Sequence, residues 1–134
     1  MSANLQWQCI RKSSSFILQK NGVTFSTEPM NLANKNSFKF SGLVNKKAVG
    51  IENGPEGKGV TLVTKKQTNA RQFTVKKTAL VKNRRKTYHS IRKSLGTSEY
   101  RKDLIECAVR RASAYWASQQ SKGKKALRKR SGKK

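Results

Sequence analysis

Two stretches of this chain carry many positive charges and no negative charge. Residues 65–93 contain eleven Lys or Arg residues, residues 122–134 contain eight, and neither stretch contains Asp or Glu. The formal net charge of the 134 residues is +25. Unpaired cations are almost never buried, and a concentration of one sign repels itself. Neither stretch can supply most of a core, and both predict contact with a polyanion, RNA or DNA.

The core must therefore come mainly from the other residues, and it must be small. Hydrophobic residues, counted without Gly, make up 34% of the chain, against roughly 45–50% counted with Gly in ordinary soluble domains. The sequence has no run of about 18 apolar residues that would predict a membrane span, and it does not open with the pattern of a secretion signal. We predict one small folded module with basic extensions and no membrane partner.

Residues suited to catalysis or metal binding are few and scattered. Cys9, Cys107 and His89 do not stand at ligand spacing, so we expect no disulfide, no metal and no cofactor, in a reducing compartment. Six carboxylates and one His leave little material for general acid–base chemistry. Residues 54–59 are Gly-rich but lack the ending of a phosphate loop, and they predict a turn. We predict a protein that is not an enzyme and takes no small-molecule substrate.

The N-terminal half predicts a helix followed by a hairpin. Ser2 can cap a helix over residues 3–11. The β-prone residues 16–20 and 23–26 flank Asn21-Gly22, the strongest short-range signal for a two-residue hairpin turn.

Further strands are predicted after the hairpin. Residues 37–40 alternate with period two, as in a strand, and residues 47–52 and 59–65 predict an antiparallel pair. Residues 73–81 are β-prone but interrupted by Lys76-Lys77, which predicts an extended arm.

Two helices are predicted in the C-terminal part. The first covers residues 83–95, with Tyr88, Ile91 and Leu95 on one face and Gly96 as its stop. The second covers residues 101–120. Its apolar stripe comprises Ile105, Val109, Ala112 and Trp116, widened by Leu104, Ala108 and Tyr115, while Asp103, Cys107, Arg110 and Ala117 point away.

The predicted fold class is α+β, a small antiparallel sheet module with a short N-terminal helix, two C-terminal helices and basic extensions. We divide the chain into an antiparallel β-rich module with its helix at residues 1–66, a basic extended connector at 67–82, a two-helix part packed on the module at 83–121, and a basic tail at 122–134 that is disordered until bound.

The absence of compensating acids favours nucleic-acid contact over a merely solvated surface. Arg side chains suit phosphates because the guanidinium forms a planar fork, and Tyr88 and His89 could stack on unpaired bases. The candidate RNA-binding residues are Arg11, Lys12, Lys46, Lys47, Lys65, Lys66, Arg71, Lys76, Lys77, Arg84, Arg85, Lys86, His89, Arg92, Lys93, Arg110, Arg111, Lys124, Lys125, Arg128, Lys129 and Arg130.

Charge alone does not separate RNA from DNA. A chromatin protein or a membrane-active cationic protein would also be basic, but the chain lacks helix-turn-helix, zinc-finger and basic-zipper patterns, as well as the pattern of an RNA-recognition motif. A β-module with basic extensions is typical of a structural component of a ribonucleoprotein.

Several segments resemble the eukaryotic L28e family of large-subunit ribosomal proteins. They are SANLQW at residues 2–7, SSF at 14–16, FSTEP at 25–29, NL at 31–32, NSF at 36–38, SGL at 41–43, VGIE at 49–52, GKGV at 57–60, SIR at 90–92, YRKDL at 100–104 and RRASA at 110–114. The chain departs from the family's pattern at Lys102, where Pro is frequent, and in residues 122–134.

This resemblance implies an α+β protein of the large (60S) ribosomal subunit that binds ribosomal RNA, contacts neighbouring ribosomal proteins and catalyses no reaction. It implies a cytoplasmic ribosome as the location, with assembly in the nucleolus. The nearest alternative is a nucleolar assembly factor that shares the N-terminal domain. That factor looks longer than this chain, with added cysteines and an acidic C-terminal region.

Overall fold

The computed structural model describes residues 2–67, 72–97 and 100–120. Its elements are α1 (Ala3–Ile10), β1 (Ile17–Lys20), β2 (Val23–Ser26), β3 (Ala48–Asn53), β4 (Val60–Gln67), β5 (Phe73–Leu80), α2 (Arg84–Thr97) and α3 (Ile105–Gln119), with 3-10 turns at Phe38–Phe40, Pro55–Gly57 and Lys102–Leu104. The predicted α+β class is confirmed. The predicted tail and Arg71 lie outside the described residues.

The β1–β2 hairpin is confirmed at its predicted turn. Lys20 pairs with Val23, so the turn contains only Asn21 and Gly22. Both turn residues have positive φ, 51° and 75°, which is the backbone that a tight hairpin turn of this type requires. Apart from Ser26, the hairpin strands are not buried, and Leu18 is 54% exposed.

Helix α1 forms where predicted but buries none of its residues. Ser2 occupies the N-cap position with extended dihedrals, yet its side chain makes no capping hydrogen bond, contrary to prediction. Leu5 and Cys9 are exposed. The N-terminal helix and the hairpin therefore depend little on a shared apolar core.

The second sheet has the order β3-β4-β5 and is antiparallel throughout. The predicted pairing of β3 with β4 is confirmed, and the turn between them is closed by Gly54 N–H donating to Gly59 O at 3.0 Å. The sequence analysis assigned β5 to an extended arm and missed its pairing with β4. Every β5 residue before Leu80 is exposed.

One face of this sheet, the helix face, is covered by α3. Val49, Ile51, Val60 and Leu62 point to it, because directly opposed residues share a face. Helix α3 lies on β3 and β4, and α2 packs on α3. The buried residues of this core are Leu32, Val49, Ile51, Val60, Leu62, Ile91, Leu95, Leu104, Ala108 and Ala112.

Two sequence expectations about the C-terminal part are wrong, those for Gly96 and Cys107, whereas the apolar stripe of α3 is confirmed. Helix α2 runs through Gly96 to Thr97, so the glycine does not stop it. Ala108 and Ala112 form the centre of the α3 stripe, because small side chains allow the helix to approach the sheet closely. Cys107, expected to point away, packs at the edge of the core.

The opposite face of the sheet, the loop face, is covered by the loop between β2 and β3. Ala48, Gly50, Val63 and Lys65 belong to it. A Cβ atom on Gly50 would stand 3.2 Å from Met30 Cα, a tight contact, so glycine favours the close approach of the loop backbone. The loop also contains the 3-10 turn Phe38–Phe40, where the alternating pattern wrongly predicted a strand.

Candidate nucleic-acid interface

Most of the predicted cations that the structure describes lie on the surface. Lys65 is buried, and Arg84 and Arg111 are partly buried. The exposed ones are Arg11, Lys12, Lys46, Lys47, Lys66, Lys76, Lys77, Arg85, Lys86, His89, Arg92, Lys93 and Arg110. Arg71, Lys124, Lys125, Arg128, Lys129 and Arg130 lie outside the described residues.

The outer side of α2 gathers the densest group of these cations. The helix turns Thr87, Ile91 and Leu95 into the core. Its other positions then present a basic face, which we define as Arg85, Lys86, His89, Arg92 and Lys93. Arg92 Nε stands 3.9 Å from Glu106 Oε1, a long and exposed ion pair that neutralises little of the face.

Tyr88 was predicted to stack on a base from this helix, but it lies on the other side. It packs against the core, and its hydroxyl oxygen is buried. His89 is exposed and remains available for stacking.

Lys65 lies on the loop face and binds the protein's own backbone. Its ammonium donates to Gly42 O at 2.9 Å and to Leu43 O at 3.2 Å, and it lies 4.2 Å from the centre of the Phe73 ring. Burial lowers the pKa of Lys65, and the nearby Glu28 carboxylate partly offsets this. Its contacts make Lys65 a structural cation.

Glu28 is the centre of a buried polar network on the loop side. Its two carboxylate oxygens accept hydrogen bonds from Asn31 Nδ2 and Ser41 Oγ, each at 3.0 Å. Asn31 Nδ2 also donates to Lys35 O at 2.9 Å. The side chains of Glu28, Asn31 and Ser41 are 6%, 3% and 1% exposed. These residues belong to the segments that resemble the L28e family, and their role is to hold the loop.

Two guanidinium groups hold the same loop from the C-terminal side. Arg111 Nη1 donates to Asn31 O at 2.9 Å, Leu32 O at 3.2 Å and Asn34 Oδ1 at 2.9 Å. Sequence reasoning favoured Arg111 as a phosphate contact because Arg suits phosphates. One arm of that guanidinium, Nη1, is bound to oxygen atoms of the loop, so Arg111 also has a structural role.

Arg101 is the second of these groups, and sequence reasoning missed it. It donates to Lys39 O at 2.9 Å and Lys47 O at 3.0 Å, and it forms a two-point pair with Asp103 at 2.9 Å for each contact. Hydrogen bonding to Arg101 lowers the pKa of Asp103. No spacing rule links Arg101 to carbonyls so far away, so the sequence gives no signal for this role.

A second group of cations, Lys47, Lys66 and Lys76, lies around Tyr100. Lys66 and Lys76 line a cavity of about 350 Å³ beside it, and Lys47 Nζ stands 5.7 Å from its ring centre. The Tyr100 hydroxyl donates to Ala48 O at 3.2 Å and to Lys65 O, and burial raises its pKa. This patch of cations around Tyr100 lies where β4 ends and β5 begins.

A cleft near the N-terminus joins two predicted cations to two aromatic rings. Arg11, Lys12, Trp7 and Phe38 line a space of about 640 Å³. The rings of Trp7 and Phe38 meet edge to face, 6.1 Å apart. This ring pair lies near the surface, and Phe38 is 37% exposed.

Among the described residues, no group of His, Cys, Asp and Glu side chains could hold a metal ion. Within the same residues, no helix has the length and apolar character needed to cross a membrane.

Known proteins resemble this chain over nearly its whole length. The Ribosomal L28e protein family matches residues 5–118. The large ribosomal subunit protein eL28 of Schizosaccharomyces pombe is 40% identical over 130 residues, which cover 91% of this chain and 96% of that protein. The proteins of the same name from Caenorhabditis elegans and Dictyostelium discoideum are 36% and 34% identical, and the matches cover 92% and 96% of this chain and 95% and 97% of those proteins.

Proposed function

This chain belongs to the Ribosomal L28e protein family, and from that premise we propose that it binds ribosomal RNA as a non-catalytic structural component of the large ribosomal subunit. Its partners would be ribosomal RNA and neighbouring ribosomal proteins. We further propose that it joins the subunit in the nucleolus and works in cytoplasmic ribosomes.

The basic face of α2 is the observation that carries the proposal of RNA binding. Five basic or titratable side chains lie on one solvent-exposed surface, and residues 65–93 contain no acid to balance them. Such a face favours phosphate groups by charge alone, without reading base sequence. The patch beside Tyr100 and the N-terminal cleft extend the proposed contact to other parts of the surface.

Salt dependence tests the electrostatic part of the proposal. If RNA binding neutralises about 8–10 phosphates, the slope of log K against log salt should be about −6 to −9. The measurement is a filter-binding titration of the full chain with structured RNA at several salt concentrations. A slope near zero would contradict phosphate contact.

Two double variants with the same change in net charge test whether RNA binds at the basic face of α2. Arg85→Glu with Lys93→Glu reverses two charges on the basic face of α2, whereas Lys20→Glu with Lys58→Glu reverses two exposed charges elsewhere. The α2 variant should weaken RNA binding by about tenfold more than its control, because close phosphate contacts are lost as well as net charge. Equal losses would show that only net charge matters.

Assembly tests the ribosomal role itself. The tagged chain should sediment with the large subunit in a sucrose gradient and remain there after a high-salt wash, and the α2 variant should be depleted from that fraction. Release at high salt, or recovery only in nucleolar precursors of the subunit, would contradict the structural role and favour an assembly factor.

A further inference from the structure

A groove of about 650 Å³ runs between α3 and the loop that follows β2. On the α3 side, Cys107, Ala114 and Ser118 recur at helical spacing and line the groove with small side chains. Phe40 and Tyr115 supply aromatic rings to the same space, and Leu32 adds an aliphatic surface. The groove is therefore wide, and its lining is mainly apolar.

The charged groups that line the groove are all positive. Lys35 and Arg110 are exposed, and Arg111 also lines the groove. Arg111 is held by the carbonyls of the loop, and its guanidinium carbon lies 5.8 Å from the Tyr115 ring centre. None of the lining residues carries a negative charge. The groove thus offers a mainly apolar space beside one cation that the loop holds and two exposed cations.

From this combination we infer that the groove takes an unstacked nucleobase of RNA, and that Lys35 and Arg110 contact the phosphates on either side of that base. The inference rests on the proposed RNA binding and adds a specific subsite to it. A base has an apolar flat face for Tyr115 or Phe40 and carries its negative charge on the adjoining backbone. A cavity of this volume is large enough for one nucleotide.

A protein segment fits the charges less well. A single apolar side chain of a neighbouring protein would contact the rings but not Lys35 or Arg110, and a single acidic side chain would contact those cations but not the rings. A nucleotide satisfies both parts of the lining at once.

The test compares two RNA probes and two matched variants of the full chain. The probes are a duplex of about 16 base pairs with one bulged adenosine and the same duplex without the bulge. Ala114→Trp fills the groove with an indole ring, whereas Ala117→Trp places the same ring at an exposed α3 position that does not line it. Affinities come from filter binding, and circular dichroism checks that both variants keep the native helix content.

The native chain and Ala117→Trp should bind the bulged RNA about tenfold more tightly than the plain duplex, and Ala114→Trp should bind the two equally. Equal binding of both probes by the native chain would overturn the subsite while leaving general RNA binding intact. If neither probe binds at all, the proposed function fails instead. An Ala114→Trp chain that keeps the preference but loses its place in the large subunit would assign the groove to a neighbouring protein.

Cys107 gives a second readout that needs no substitution in the groove. It lines the cavity, whereas the other cysteine of the chain, Cys9, is exposed on α1. The bulged RNA should slow alkylation of Cys107 by about tenfold relative to the plain duplex, and the two RNAs should affect Cys9 alike. Alkylation of Cys107 at the same rate with both RNAs would overturn the inference.

Discussion

The two faces of the β3-β4-β5 sheet are closed in different ways. On the helix face, Val49, Ile51 and Leu62 pack against α3 through apolar contacts, and Gln119 adds hydrogen bonds to Asn53 and Gly59 only at the end of the helix. On the loop face, the cover is irregular backbone, and it is held by buried polar groups centred on Glu28 and Lys65. Strands β3 and β4 thus support a mainly apolar interface on one face and a polar interface on the other.

The difference shows what each kind of cover requires. A helix satisfies its own backbone groups and brings only side chains to the sheet. A loop brings unpaired carbonyls, which need donors once they are buried. Lys65, Arg101 and Arg111 supply such donors to the carbonyls of Gly42, Lys47 and Asn31, so part of the positive charge of this chain stabilises its own fold.

The largest effect is expected on the helix face. Leu62 is 3% exposed, and Leu62→Ala should lower the free energy of unfolding by about 2–5 kcal/mol, since it removes buried methyl groups and leaves a cavity. Leu18→Ala in the exposed hairpin is the control and should change that free energy by less than about 0.5 kcal/mol. Urea unfolding of the free protein measures both, and similar losses would contradict the assignment of the core.

A smaller but clear loss is expected on the loop face. Glu28→Gln removes the charge that strengthens both hydrogen bonds, keeps one carbonyl oxygen for Asn31 Nδ2 and requires Ser41 Oγ to accept from the new amide instead of donating. It should cost about 1.5–3 kcal/mol. Glu52→Gln is the matched control, because Glu52 forms an exposed ion pair with Lys77 at 3.0 Å that should contribute only about 0–1 kcal/mol. A cost for Glu28→Gln no greater than for Glu52→Gln would mean that the polar network does not hold the loop.

The Tyr100 hydroxyl donates to Ala48 O in β3 and to Lys65 O in β4. Removing this hydroxyl tests the connection between Tyr100 and the two strands. Tyr100→Phe should lower the free energy of unfolding by about 1 kcal/mol, the usual net contribution of one hydrogen-bonding group. Because the folded pKa is raised, the native protein should lose stability as pH rises through and above 10.0, where the unfolded tyrosine ionises first. The variant should lose less stability over that range; identical alkaline titrations would contradict the buried position of the hydroxyl.

The smallest effect is expected at the exposed rim of the loop. Asp103→Asn weakens the pair with Arg101 and should cost about 0.5 kcal/mol, because solvent screens a partly exposed pair. The folded pKa is lowered, so this stabilisation is present above 3.8 and is lost as pH falls below that value. Acid unfolding of native protein and variant should converge below that pH, and a difference that grows there would contradict the pairing.

Local patterns in the sequence predicted local structure well. The Asn21-Gly22 turn is encoded in two residues, and the helical spacing of Ile91 and Leu95 indicates which side of α2 is buried. The same spacing identified the basic face of α2. By contrast, residues 37–40 alternate like a strand, but Phe38 contacts Trp7 and Phe40 packs at the core, and these distant contacts fix a 3-10 turn.

Tertiary partners explain why parts of the candidate site were not predicted. Lys65 and Arg111 look like free cations in the sequence, because the carbonyls that they bind are contributed by distant loop residues. β5 was missed for the same reason, since its strand character depends on pairing with β4. Lys35 stands in a polar stretch with no pattern of its own, and only the fold brings it beside Tyr115.

The hydrogen bonds of Arg111 have a consequence for how the chain folds during its own synthesis. The carbonyl of Asn31 receives its donor from a residue 80 positions later, so this part of the loop lacks that contact until about half of α3 has been translated. Until then, the hairpin can form but the apolar side of β3 and β4 has no cover. A nascent chain that stalls before α3 would expose this surface, and such chains are the ones that a molecular chaperone would be expected to retain.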